Sequence, residues 1–425
     1  MSGLVFSDYF LFILIGIFFF FISFFSMRVG LIIMVIAMLF SPEFSVGALG
    51  DRAVTIRIED VLIPVLMISW LAQNAVKRQG AIFAATPLNV PVLALLTLMV
   101  LSTLRGAATG WVQGLTGFFY IFKIVQYFAI FYLVANSVKT IRQIRIYLWF
   151  IIFTLSLIGL YTLKQVPSVQ IFTEHRITAP FEGAPEPATV GGYMAFLLLI
   201  VFSLYLHERK GAIRAVLAGV GLVVFIPFVY TLNRTSYAAL IIGMLFISSV
   251  RKKKGMAVMI IVAFVVLPFI IPALGERIAF TWKDAANPGR DYGVDMSFGE
   301  RIYSFRKMWL TAKTSPFIGW GVGSFMYPDN QYARTLHEIG IIGLGLWLWV
   351  FARLIKISRW LFYSLEEGLL KGLTLGYWAG VIGILIHGFG AITFYIVRIM
   401  EPFWFVSGLV MALYIIQLRA LPSEA

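Results

Sequence analysis

The chain has 425 residues, of which 60% are hydrophobic and only 13% are charged. In a soluble domain of this length, about a quarter of all residues are charged, so this composition excludes a soluble globular protein. The absence of Cys excludes a disulfide framework and a thiolate metal site.

About thirteen apolar segments are predicted with a window of about 19 residues, and we interpret them as membrane-spanning helices. They are continuously apolar, whereas the strands of a membrane barrel alternate. The predicted fold is an all-α, polytopic transmembrane helical bundle of about 12–13 spans, forming a single domain over residues 1–425. The first segment lacks a basic n-region and a small-residue cleavage site, so it is predicted to be retained. The segments lie at 9–26, 29–41, 58–76, 88–104, 118–136, 144–163, 188–206, 212–230, 234–250, 256–272, 333–352, 372–388 and 401–418.

Basic residues concentrate in every second connection between these segments, for example at Arg251-Lys252-Lys253-Lys254. The positive-inside rule assigns those connections and the C-terminus to the cytoplasm. This distribution accounts for much of the net charge of +14 and argues against nucleic-acid binding. The alternate connections, including the long segment 273–332, are predicted to be extracytoplasmic. They hold most of the acids mixed with Arg, so we expect the chemistry on that side.

The long extracytoplasmic segment is predicted to contain an amphipathic helix over 298–314. Ser297 and Glu300 form a possible capping box, and apolar residues from Phe298 to Trp309 recur at helical spacing. We expect this helix to lie on the outer membrane surface or to roof a cavity. Ser315-Pro316 ends it, and a Gly-rich run over 319–323 then allows sharp turns.

Arginines at the outer ends of the segments are candidates for binding phosphate groups, because the guanidinium fork matches phosphate oxygens. The alternative for each is snorkelling at a helix end. Arg234 fits that alternative least, because it lies in a short polar break between two apolar runs and a charge near hydrocarbon needs a partner. The candidate cations are Arg176, Arg234, Arg301, Arg306 and Lys123, the last lying inside the span 118–136.

The densest group of chemically active residues begins at Asp329-Asn330 and includes His337 and Glu338. An acid at the mouth of a half-dry cavity can act as a general base, because burial raises its pKa toward neutrality. The alternative for Glu338 is an ion pair with an Arg that holds helices together. His337 is more typical of a packed structural histidine.

A metal site is not predicted, because the four His show no ligand spacing. The Gly-rich run at 319–323 lacks the Gly-Lys-Ser/Thr of a phosphate-binding loop. The sequence therefore predicts no metal and no cofactor.

Five stretches in this order resemble motifs of the O-antigen ligase and polymerase superfamily of membrane glycosyltransferases. Together they cover about residues 118–410 and fall on the predicted outer side. Family ligases usually have His at the position of Asp329, which favours a polymerase. The stretches are Lys123-Ile124-Val125-Gln126-Tyr127 through Asn136, Arg176 through Tyr193, Arg234-Thr235-Ser236, Glu300 through Gly323, and Asp329-Asn330 through Gly343.

The resemblance implies an inverting glycosyl transfer on the outer face of the bacterial inner membrane, from an undecaprenyl-diphosphate-linked oligosaccharide. A polymerase joins repeat units into O-antigen or exopolysaccharide, and a ligase transfers the glycan to lipid A-core. A chain-length regulator and a flippase are implied as partners. Asp329 or Glu338, with His337 beside them, would activate or orient the acceptor. The candidate cations would stabilise the diphosphate.

A lipid-linked sugar transporter or flippase is the competing interpretation. Transporters tend to carry charges near the middle of the membrane and paired broken helices. The notable charges here cluster at the outer ends of the segments, and no inverted repeat is visible. The pattern favours the enzyme.

Overall fold

The structure, a computed structural model, describes residues 6–49, 52–76, 84–169, 176–182, 186–283, 303, 305, 306, 308–324 and 330–420. Each apolar segment predicted from the sequence forms a helix. The helices are α1 Phe6–Phe25, α2 Met27–Phe40, α3 Ile58–Val76, α4 Asn89–Ala108, α5 Gly114–Ser137, α6 Ile141–Leu163, α7 Pro187–His207, α8 Gly211–Tyr230, α9 Arg234–Val250, α10 Lys254–Ile270, α11 Pro272–Lys283, α12 Gln331–Ser364, α13 Leu369–His387 and α14 Val397–Ala420. Short 3-10 helices cover Val166–Ser168 and Thr393–Tyr395.

The fold is an all-α membrane bundle, as predicted. Among the described residues, 8 helices are long and apolar enough to cross a membrane, or 9 if the pair Lys254–Ile270 and Pro272–Ala279, bent by 95°, is one span. The sequence prediction of about 12–13 spans is larger. The difference arises because Gly16–Phe25, α2 and α9 are short apolar helices, and because α3 carries Glu59 and Asp60 in its first turn.

A two-stranded antiparallel sheet occupies the connection between α2 and α3, which was predicted only as an outer connection. Its strands, β1 Glu43–Leu49 and β2 Arg52–Arg57, pair from Glu43 with Arg57 to Leu49 with Arg52. Residues 54–56 of β2 are Val-Thr-Ile, and such β-branched side chains favour strands.

Helices α7, α13 and α14 form the centre of the bundle, where most of their residues are buried. Glycines at four-residue spacing on α13 allow its backbone to approach α7 closely. A Cβ at Gly376 would lie 2.7 Å from Ile200 Cα, and one at Gly372 would lie 3.0 Å from Leu204 Cα. The central contact is therefore made through backbone atoms that cannot move aside independently.

We expect Gly376→Leu to destabilise the folded protein by about 1–3 kcal/mol or more, because a larger side chain forces α13 away from α7. The measurement is the thermal transition of the purified protein in detergent. Gly219→Leu is the matched control, since a Cβ there meets no described atom within 4 Å. Equal transition temperatures for the two variants would contradict this packing.

In the predicted amphipathic helix over 298–314, the described residues from Tyr303 to Ala312 are helical, whereas Lys313 and Thr314 form a turn. Met308 is buried, whereas Phe305 and Trp309 of the predicted apolar face are exposed. Two candidate site residues, Arg301 and Asp329, lie outside the described residues.

Several connecting segments meet at one end of the bundle, which we call the motif end. They are the segments that follow α4 and α13 and those that precede α9, α12 and α14.

Candidate functional site

The Gly-rich run and the start of α12 cross in direct backbone contact. Gly340 has φ 66° and ψ −171° inside α12, and Gly319 has φ 69°. A Cβ at Gly319 would lie 2.4 Å from the carbonyl carbon of Glu338, and a Cβ at Gly340 would lie 2.3 Å from that of Phe317. Both positions require glycine, because of the positive φ and because no side chain fits.

Backbone hydrogen bonds between the two segments replace those that the break in α12 removes. Trp320 N donates to the His337 carbonyl at 2.9 Å, and Gly321 N donates to that of Glu338 at 2.8 Å. Ser102 Oγ on α4 lies 2.8 Å from the Glu338 carbonyl oxygen. Buried backbone groups need such partners. These hydrogen bonds therefore stabilise the break in α12 and hold residues 337–340 against the Gly-rich run.

The Glu338 carboxylate is buried and accepts three hydrogen bonds. Oε1 accepts from Arg334 Nε at 2.9 Å and from Gly323 N at 2.9 Å, and Oε2 accepts from the Tyr395 hydroxyl at 2.8 Å. These donors satisfy the hydrogen-bonding capacity of the buried carboxylate oxygens. Glu338 therefore joins α12, the Gly-rich run and the connection before α14, and its lone pairs are largely occupied.

Arg334 is buried beside Glu338 between two aromatic rings. Its Cζ lies 3.8 Å from the ring centroid of Tyr395 and 4.7 Å from that of Tyr120 on α5. Aromatic faces and a carboxylate are the partners that make a buried guanidinium tolerable. Burial, followed by the charge of Glu338, raises the pKa of the Tyr395 hydroxyl well above its usual range, which keeps it a donor.

Asn330 begins α12 as its N-cap. Its Oδ1 accepts hydrogen bonds from the backbone of Tyr332 at 2.9 Å and of Ala333 at 3.0 Å. Its Nδ2 donates to the Phe389 carbonyl at 3.1 Å, and Gln331 N donates to that of Gly388 at 2.8 Å. The start of α12 is thus attached to the loop 388–390 that follows α13.

The same loop contacts the start of α9, where Arg234 lies. A Cβ at Gly390 would lie 2.4 Å from Thr235 Oγ1. Arg234 is half-buried and follows the N-cap Asn233, whose Oδ1 accepts from Ser236 N at 2.9 Å. The loop 388–390 therefore contacts both the residue that follows Arg234 and the residue that follows Asp329.

Two further arginines interact electrostatically with α9. The guanidinium groups of Arg176 and Arg277 both act electrostatically on the hydroxyl of Tyr237, one turn after Arg234. Arg176 is half-buried, and burial lowers the pKa of its guanidinium from the usual value. Arg277, on α11, was not among the residues selected from the sequence as diphosphate ligands.

The loop that carries Arg176 is anchored by a buried arginine. Arg398 Nη2 donates to the Pro180 carbonyl at 3.0 Å, and Arg398 Nε lies 3.1 Å from Glu182 Oε1. Burial raises the pKa of the Glu182 carboxyl to about 7, while the Arg398 guanidinium opposes that shift. Arg398 also donates to the Leu39 carbonyl at 2.7 Å, so it joins three segments at the motif end.

Lys123 on α5 forms an ion pair with Asp60 at the start of α3. Asp60 also accepts from Arg57 N at 2.9 Å, and Arg57 forms an ion pair with Glu43 across the sheet. Lys123 lies one turn after Tyr120, which contacts Arg334. Lys123 therefore lies next to the group formed by Glu338, Arg334 and Tyr395, which we call the Glu338 centre. Its charge is neutralised by Asp60.

The remaining described candidates occupy different environments. His337 is buried, with Nδ1 3.1 Å from Thr311 Oγ1 and its ring 6.5 Å from that of Trp111. Arg306 is exposed on the surface helix. Sequence reasoning missed Arg334 and Tyr395 as partners of Glu338. The i, i+4 spacing of Arg334 and Glu338 was the available signal for one of them.

In the described part of the chain, no group of three or more His, Asp or Glu residues is placed to hold a metal ion. The described residues of the motif end supply fixed guanidinium groups, a buried carboxylate and hydroxyl donors. Such donors can stabilise developing negative charge without reorganising.

A comparison with protein families matches residues 225–348 to the family described as O-Antigen ligase. The match begins near the end of α8 and includes Arg234, Arg277, the Gly-rich run and Glu338. A search of curated proteins found no match. The family match agrees with the resemblance carried by the sequence motifs and supports the O-antigen ligase/polymerase superfamily.

Proposed function

We propose that this protein polymerises lipid-linked oligosaccharides by inverting glycosyl transfer from an undecaprenyl-diphosphate donor. The family supports an enzyme of the ligase or polymerase type on a lipid-linked substrate. One observation carries the finer proposal. The loop 388–390 joins Arg234, with Arg176 and Arg277 near it, to the start of α12, where Asp329 precedes the cap Asn330.

In the proposed reaction, the acceptor hydroxyl attacks the anomeric carbon from the face opposite the diphosphate. The bond from that carbon to the phosphate oxygen breaks, and the lipid diphosphate leaves with the electron pair. The hydroxyl proton passes to a carboxylate acting as general base. The diphosphate is already a good leaving group, so fixed arginines are sufficient to stabilise its charge.

We assign the base to Asp329, because three hydrogen-bond donors already occupy the Glu338 carboxylate. Glu338 then positions the segments that form the site, and the buried His337 helps to hold these segments in place. Arg176, Arg234, Arg301 and Arg306 bind the diphosphate, and Arg277 is added to this set. Lys123 balances the charge of Asp60 beside the centre and contributes to the field at the site.

The proposed setting is the bacterial inner membrane, with the motif end facing the periplasm and the C-terminus in the cytoplasm. The positive-inside rule supports this orientation. A polymerase is favoured over a ligase that transfers to lipid A-core, because Asp occupies the position where family ligases usually have His. The chain-length regulator and the flippase stay proposals from the family.

The test uses the purified full-length protein with a synthetic undecaprenyl-diphosphate-linked repeat unit. We expect chain growth, seen as a ladder of products, and release of undecaprenyl diphosphate. Lipid A-core is supplied in a parallel reaction. Transfer to lipid A-core alone would make the protein a ligase, and absence of both products would overturn the glycosyltransferase proposal in favour of transport.

A further inference from the structure

A layered aromatic structure lies beside the Glu338 centre and has no role in the proposed chemistry. Trp111, in the loop between α4 and α5, stacks on Trp320 of the Gly-rich run with ring centroids 4.4 Å apart and an interplanar angle of 28°. Arg105 Cζ lies 5.1 Å from the Trp320 ring centroid. Trp111 is 44% exposed, so much of its surface stays accessible.

Hydrogen bonds fix Trp320, Arg105 and the loop that carries Trp111. Trp320 Nε1 donates to the Thr311 carbonyl at 3.2 Å. Arg105 Nη1 donates to Ser315 Oγ at 2.6 Å and to the Gly319 carbonyl at 2.9 Å. Trp111 N donates to the Gly106 carbonyl at 2.9 Å, which fixes the loop. A ring held in this way loses little conformational entropy when it binds a ligand.

The stacked pair is continuous with the candidate site. Trp320 N donates to the His337 carbonyl at 2.9 Å, and the ring of Trp111 lies 6.5 Å from that of His337. Glu338 is the next residue. A molecule on the exposed part of Trp111 would therefore lie close to the segment that forms the proposed centre.

Polar side chains flank Trp111 in its own loop. They are Thr109 and Gln113, and both are exposed. An open aromatic face attracts polarised C–H groups through its negative quadrupole, and the hydroxyl and amide groups of the flanking residues can hydrogen-bond to hydroxyls. A pyranose ring combines these two properties, because its C–H face is apolar and its edge carries hydroxyls.

We propose that Trp111 is a carbohydrate-binding subsite, on which a pyranose ring of the acceptor or growing glycan stacks. This inference rests on the proposed function and extends it to a specific contact away from the diphosphate. Interfacial tryptophans also anchor proteins in lipid. The stacking on Trp320, the polar neighbours and the contact with His337 favour the sugar, and the lipid anchor is an outcome of the test.

The test is saturation-transfer difference NMR on the purified protein in detergent. The probe is the repeat-unit oligosaccharide released from its lipid and diphosphate. We expect saturation transfer to the C–H face of one pyranose ring in the wild type and in Trp111→Tyr. In Trp111→Leu we expect about tenfold weaker binding, corresponding to the loss of one stacking contact.

Trp349→Leu is the matched control. Trp349 lies on α12 away from the motif end, is 37% exposed and packs with Arg353. It should retain wild-type saturation transfer. Equal transfer in Trp111→Leu and the wild type, or none in the wild type, would overturn the subsite. Impaired membrane retention of Trp111→Leu with normal transfer would assign Trp111 to lipid anchoring.

This result is separable from that of the proposed function, because the probe carries no diphosphate and undergoes no reaction. Conversion of the complete lipid-linked substrate without any saturation transfer would refute the subsite and leave the glycosyltransferase proposal standing. Saturation transfer without conversion would refute the enzyme and leave a carbohydrate-binding site.

Discussion

Replacing Glu338 with Ala should abolish polymer formation and lower the amount of folded protein. The change leaves the Arg334 guanidinium buried without its carboxylate and frees the Tyr395 hydroxyl and Gly323 N–H. Removing one partner of a buried ion pair costs about 3–5 kcal/mol. The measurements are the polymer ladder in a deletion strain and the protein level in the membrane fraction.

Glu338→Gln separates a positioning role from a role as base. The amide oxygen can still accept from Gly323 N–H or the Tyr395 hydroxyl, so we expect reduced but measurable activity in the purified enzyme. Asp329→Asn should lose activity by about 10²–10⁴-fold, the usual contribution of a general base. The exposed Glu276→Gln is the matched control. Full activity in Asp329→Asn with none in Glu338→Gln would reverse the two assignments.

Arg234→Ala should lower kcat by about 10²–10³-fold, as expected for loss of one donor that stabilises transition-state charge. The protein level should stay unchanged, because Arg234 is only half-buried and Asn233 caps α9. Arg234→Lys should restore little activity, because an ammonium cannot replace the bidentate guanidinium. The measurement is the initial rate with the lipid-diphosphate repeat unit.

Arg214→Ala is the control for loss of a positive charge. Arg214 is exposed on α8 near its start and contacts Tyr205 rather than the motif end. It should retain wild-type kinetics. Unchanged polymer length and yield in Arg234→Ala would refute its assigned role. An effect on KM alone would mean that Arg234 binds the ground state and the transition state equally.

Local features of the site were partly readable from the sequence. Glu338 and the Gly-rich run were recognisable, since an acid in the first turns of a span needs an explanation and repeated glycines predict turns. Two of the three donors to Glu338 were not, whereas Arg334 was indicated by its i, i+4 spacing. Tyr395 and Gly323 are distant from it in the chain, so no local spacing indicates that they converge.

The sequence alone determined the membrane bundle, the positions of the helices and the resemblance to a family, because long apolar runs and ordered motifs depend on neighbouring residues in the chain. Tertiary structure decided which charges act together. Lys123 meets Asp60, Arg398 anchors the loop of Arg176, and Trp111 stacks on Trp320 only because separate helices end at the same place. A buried charge must find a partner, and only the packing of the helices selects which one.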